Sequence, residues 1–151
     1  MKVRDVLASK GSVVITIKPS DTIGALSRLL REKRIGGAVV SGDGQSIDGV
    51  ITERDIAYGL GVHTAGLHAL PVSTLMTKIV ITCSPSDNIA QVASTMLSRN
   101  IRHLPVEENG RLVGMVSIRD ILRLRVDELQ QQTALLHNLV NQADHGAQDR
   151  E

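Results

Sequence analysis

Short runs of β-branched residues, Val13 to Ile17 and Ile79 to Thr82, give way to prolines a few positions on and read as strands. Each is followed by a stretch with the helical period. Ile23, Leu26, Leu29 and Leu30 fall on one face behind a cap at Ser20 or Asp21, and Ile89, Val92, Ala93, Met96 and Leu97 repeat the pattern behind Ser86 or Asp87. Two further strands are expected in each case, near 37–40 and 47–51 across Ser41-Gly42-Asp43-Gly44, and near 103–106 and 111–116 across Glu107-Glu108-Asn109-Gly110. A second helix then starts at Thr52 or at Ser117. The pattern is β-α-β-β-α written twice, and the residues repeat with it: Val14-Ile15-Thr16-Ile17-Lys18-Pro19-Ser20-Asp21 returns as Val80-Ile81-Thr82-Cys83-Ser84-Pro85-Ser86-Asp87.

A half of about sixty residues buries too little apolar surface to stand easily alone. The two copies are therefore expected to pack as an intramolecular pseudo-twofold pair in an α+β fold. Residues 59–71 have the glycine density of a linker. The organisation that follows is a first repeat with its linker at 1–66, a second at 67–126, a C-terminal helical extension at 127–142 and a polar tail at 143–151. The extension rests on Leu122, Val126, Leu129, Thr133, Leu136 and Val140, whose alternating steps of four and three make a heptad seam. Such a seam suits a helix laid against its own domain, a dimer, or a docked partner.

Composition removes several classes of function. With 42% hydrophobic and 22% charged residues the chain has the balance of a folded protein. Seventeen Lys and Arg against sixteen Asp and Glu leave a net charge of +1, too little to draw in nucleic acid or an anionic membrane. Tyr58 is the lone aromatic, so no stacking platform can be built and any bound base must lie between aliphatic side chains. Cys83 is the sole cysteine, which excludes an intrachain disulfide and fits a reducing compartment. Together with a start, Met1-Lys2-Val3-Arg4-Asp5, that lacks an apolar h-region, this leads to the expectation of a soluble cytoplasmic protein. Five scattered histidines have no metal-ligand spacing, and phosphate-loop and nucleophile motifs are missing; neither a metal site nor catalytic residues are expected, and no enzyme.

One box recurs at the end of the last strand of each copy: Gly49-Val50-Ile51-Thr52-Glu53-Arg54-Asp55 and Gly114-Met115-Val116-Ser117-Ile118-Arg119-Asp120. Thr/Ser-x-x-Asp is close to a capping box and can be nothing more. The same helix start can also hold an anion, and an Asp one turn in can accept from both vicinal hydroxyls of a ribose. Arg54 and Arg119 stand beside that Asp in both copies. Ahead of the middle strands are Ile35-Gly36-Gly37-Ala38, where glycines let a ligand approach the backbone, and Ile101-Arg102-His103-Leu104, which offers cations to a phosphate.

The doubled β-α-β-β-α unit, the Arg102-His103-Leu104-Pro105-Val106 strand and the doubled box resemble a tandem pair of cystathionine β-synthase (CBS) domains, or Bateman module, over residues 1–126. The resemblance implies a stand-alone regulatory protein that binds AMP, ADP, ATP or NAD(H), with S-adenosylmethionine ranked behind them, in two clefts between the copies. It would act as an energy or redox sensor, as a homodimer with an unidentified regulated protein, and without nucleic-acid or membrane partners. Carried over, one cleft would use Asp120 for the ribose, with Ser117 and Arg119 nearby and Arg102 and His103 for phosphate. Its other wall would be Ser12, Val14 and Thr16, with the backbone at Ile35, Gly36 and Gly37. The second cleft would set Asp55, Thr52 and Arg54 against Thr77, Lys78, Val80, Ile101 and Leu104. With glycines at 36 and 37 the Asp55 cleft is expected to lack phosphate cations, so the resemblance favours the Asp120 cleft. The alternative is an interaction module whose C-terminal helix docks a partner.

Overall fold

In the computed structural model, which describes residues 1–63 and 65–148, the chain makes an α+β protein of two similar halves. The first contains β1 (Thr16–Ile17), α2 (Ile23–Lys33), β2 (Gly37–Val40), β3 (Gly49–Thr52) and α3 (Glu53–Val62), preceded by a helix α1 (Val3–Lys10). Two short 3-10 turns, Leu67–Ala69 and Val72–Thr74, lead to α4 (Ile89–Arg99), β4 (His103–Glu108), β5 (Arg111–Ser117) and the long α5 (Ile118–Gln148). The helix runs on through 143–148, where the sequence suggests a polar tail; 149–151 lie outside the described residues.

Local chemistry accounts for most boundaries. The helix caps sit one residue later than the sequence suggests: Thr22 Oγ1 accepts from the Ala25 amide at 3.1 Å and Asn88 Oδ1 from the Ala90 amide at 2.8 Å. Asp21 and Asp87 instead accept from the Lys18 and Ser84 amides and close the proline turns. Both helices end on a left-handed residue, Arg34 and Asn100, each with φ 53°. Asn109 and Gly110 both have positive φ, as a tight β4–β5 hairpin turn requires.

β1 pairs parallel with β2, and β2 antiparallel with β3, setting Gly37 opposite Thr52. In the second half β4 and β5 pair antiparallel, but the expected leading strand is reduced to a single parallel bridge from Cys83 to Val106. Ile79 and Val13, at the starts of the two expected strands, are 92% and 87% exposed. These β-branched runs are irregular for most of their length.

The segment leading into each half completes the core of the other. Val3, Val6 and Leu7 of α1 pack with Ile89, Met96, Leu104, Val116 and Ile121, while Leu67, Val72, Leu75 and Met76 pack with Ile23, Leu26, Val40 and Ile51. Backbone hydrogen bonds mirror the exchange. The Val3 amide donates to the Asp87 carbonyl at 3.0 Å, and the Val72 amide to the Asp21 carbonyl at 2.7 Å. Val3 and Val6 are fully buried, and at about 1.5 kcal/mol or more each they contribute substantially to a half to which they are not contiguous. A division between 66 and 67 therefore separates neither core cleanly.

The exchange also explains the glycine of each box. A Cβ on Gly49 would stand 2.8 Å from the Thr77 carbonyl oxygen, and one on Gly114 would stand 2.7 Å from the Leu7 side chain. Each glycine is the place where the other half's leading segment presses on the strand.

Candidate functional site

Pairing of Val50 with Thr77, amide to carbonyl at 3.0 and 2.9 Å in both directions, brings the segment after Thr77 alongside the start of α3. Between them is a cleft of about 180 Å³. One wall carries Thr52, Glu53, Arg54 and Asp55; the other is the aliphatic row Ile79, Val80 and Ile81; Asn100, Ile101, Arg102 and His103 close the end. Asp55 Oδ2 accepts from the Thr52 amide at 2.9 Å and from its hydroxyl at 3.2 Å. Arg54 crosses to the second half, its Nη1 donating to the Asn100 carbonyl at 2.8 Å. That carbonyl is presented by the left-handed turn ending α4.

His103 sits where the halves meet, its ring 3.4 to 3.5 Å from the positions that a Cβ on Gly36 or Gly37 would take. Burial pushes its imidazole below the ordinary value of 6.5, against the pull of Glu53 and Asp120 toward the charged form. At neutral pH it is a hydrogen-bonding group and not a cation.

The second box has a different environment. Asp120 Oδ2 accepts from the Ser117 amide at 2.9 Å, and the Asp120 amide donates to Ser117 Oγ at 3.2 Å, a reciprocal cap. The same Oδ2 also takes Lys10 Nζ at 2.6 Å, and Nζ donates again to the Met115 carbonyl at 2.8 Å. Burial works against the charge on Asp120, but Lys10 and the Ser117 amide outweigh it and hold the carboxyl below the usual Asp value.

A CBS domain model matches residues 3–61 and again 72–127. The chain belongs to the CBS domain family. A CBS-domain containing protein from Agrobacterium tumefaciens, ATU1752, is 37% identical and superposes with a TM-score of 0.80 over 83% of this chain and 99% of its own. The CBS domain-containing protein YhcV of Bacillus subtilis is 29% identical over 87% of this chain and 92% of itself. The CBS domain pair of protein MJ0100, solved in complex with 5-methylthioadenosine and S-adenosyl-L-methionine, is 28% identical with a TM-score of 0.73 over 85% of this chain and 98% of its own. Other curated relatives are longer, the chain spanning 57 to 69% of three of them. The relatives that this CBS pair matches almost end to end are described by their CBS domains and by no reaction. No helix among the described residues is long and apolar enough to cross a membrane.

The CBS pair brings together Thr52, Arg54, Asp55, Thr77, Val80, Ile101, Arg102 and His103, so the phosphate-side residues assigned from sequence to Asp120 line the Asp55 cleft. Several other assignments need correcting. Leu104 is 2% exposed and belongs to the second core, because the β4 alternation turns it inward. Gly36 and Gly37 face the His103 ring and Thr52, and the Gly36 carbonyl accepts from the Glu53 amide at 3.0 Å. Ile35 packs against the first core. Lys78, expected in this cleft, is exposed and does not line it, whereas Ser12, Val14, Thr16, Ser117, Arg119 and Asp120, expected in the other cleft, lie outside this one. Sequence reasoning missed Val50, Glu53, Ile79, Ile81 and Asn100. The signal available for two of them, Ile79 and Ile81, was the β-branched run 79–82, which the strand reading absorbed.

Proposed function

We propose that this CBS pair is a regulatory sensor that takes an adenosine nucleotide, AMP, ADP, ATP or NAD(H), in the Asp55 cleft, with S-adenosylmethionine as the alternative ligand. The observation that carries the reading is the state of Asp55. Both of its hydrogen bonds fall on Oδ2, leaving Oδ1 to accept from the two hydroxyls of a ribose. Ile79, Val80 and Val50 offer the adenine an aliphatic slot, and Arg102 at the far end offers charge to a phosphate. The adenosyl ligands of the MJ0100 CBS pair support the ligand class. Occupancy shifts the population of a cytoplasmic homodimer between two arrangements and so reaches a regulated protein.

The test is a thermal-shift screen of nucleotide-free protein against AMP, ADP, ATP, NAD, NADH, S-adenosylmethionine, GTP and IMP. A ligand at 100 times its dissociation constant adds about 2.7 kcal/mol, a shift of several degrees. A shift confined to adenosine compounds and lost in Asp55→Asn is the expected result. The Asn variant should itself lose no more than about 1 kcal/mol, the worth of a cap. No shift with any of the eight overturns the reading. The fully exposed seam of α5 would then favour the interaction module.

A further inference from the structure

The two boxes share their Gly, Thr/Ser, Arg and Asp positions, yet one Asp faces open space and the other a lysine. We propose that Lys10 is a built-in occupant that shuts the Asp120 cleft to ribose, so that each chain takes one adenosyl ligand and not two. The inference rests on the nucleotide reading above.

The asymmetry has a structural origin. The segment entering the second core is an eight-residue helix, α1, whereas its counterpart entering the first core, Val72–Thr74, is a three-residue turn. The extra length of α1 carries the chain to Lys10, the last helical residue, before Gly11 ends the helix at φ 92°. The ammonium thereby arrives over the second box and bonds two of its oxygens, Asp120 Oδ2 and the Met115 carbonyl. Under it the Asp120 side chain keeps 12% exposure. At both Asp residues the bonds fall on Oδ2, but at Asp120 one donor is the Lys10 ammonium, so the carboxylate charge that would attract ribose hydroxyls is already neutralised. Asp55 has no ion pair among the described residues, and Lys78, the nearest lysine in sequence to that cleft, does not line it.

The experiment is calorimetric titration with ATP, AMP, NADH and S-adenosylmethionine of the wild type, Lys10→Met, Asp55→Asn and the double variant. Lys10 is a third exposed, and Lys10→Gln serves as a second variant should Met disturb folding. Expected are one site per chain in the wild type, two in Lys10→Met, none in Asp55→Asn and one in the double variant, because opening the Asp120 cleft restores a site that the Asp55 substitution removed. One site in Lys10→Met with none in the double variant, or two sites in the wild type, overturns the gate while leaving the nucleotide reading standing. Absence of binding in all four, with all four ligands, overturns both.

Discussion

His103 packs over Gly36 and Gly37 of the opposite half, and the burial this entails disfavours its charged form. As pH falls through 6.5 the unfolded chain takes up a proton on this imidazole before the folded chain does. Stability present at pH 7 is therefore lost progressively below that value. His103→Gln, which keeps much of the shape and none of the titration, should flatten the fall in Tm between pH 7 and pH 5; an unchanged slope would show that the proton is taken up elsewhere. Cys83 is a second residue whose chemistry the fold suppresses. Burial, with Asp87 nearby, pushes its thiol up to about 12, and Sγ lies 3.8 Å from the Pro105 carbonyl. A disulfide reagent at pH 8 should leave the native thiol unmodified and react fully once denaturant is added, and rapid labelling of native protein would contradict the burial. The burial of Cys83 follows from the repeat, in which it occupies the place of the buried Ile17. His103 reads from sequence as a cation, because nothing in a sequence shows that glycines in the other half leave a space that its ring will fill.

At the scale of elements, the repeat, the four regular helices of the two halves and the hairpins are legible because each carries its period over enough residues to be counted. Helix α1 is not. It has three large apolar side chains in eight residues, Val3, Val6 and Leu7, with Arg4, Asp5 and Lys10 between and after them, too short a run for periodicity to register. Its core lies in the other half, and patterning says which side chains are buried but not against what. The same blindness hid the reason for Gly49. Gly49→Ala sets a Cβ 2.8 Å from the Thr77 carbonyl, a backbone atom that can yield only by breaking the Val50–Thr77 pair that forms the cleft. It should cost about 1 to 3 kcal/mol in chemical denaturation and weaken nucleotide binding in the same variant. Gly61, in α3 with nothing within 4 Å of its Cβ position, is the matched control. Gly61→Ala should be neutral or stabilising by up to about 1 kcal/mol, and equal losses in both variants would remove the steric account.

For the molecule as a whole, α5 presents a demand that the rest of the chain does not meet. At 31 residues it is about 46 Å long, its last contacts with the second core are Ile121 and Leu124, and every side chain from Leu129 to Asp144 is exposed. A helix of this length with no packed face is marginal in water, so the seam at Val126, Leu129, Thr133, Leu136 and Val140 calls for a mate. An antiparallel second copy fits. On the homodimer reading proposed above, an antiparallel pairing of this seam would set Val126 against Ala143 and Thr133 against Leu136 and would place Arg123 near the partner's Asp144 at both ends. Leu129→Glu with Leu136→Glu should turn a dimer into a monomer in light scattering and lower helicity. Arg123→Glu should weaken the dimer, and adding Asp144→Arg should restore it, which a parallel pairing would not do because these two residues would then lie at opposite ends. A dimer that survives the double Glu substitution would move the interface to another exposed apolar face, such as Tyr58, Leu60 and Val62 of α3. Nucleotide binding would then be coupled to self-association through α3, the helix that carries Asp55 in its first turn.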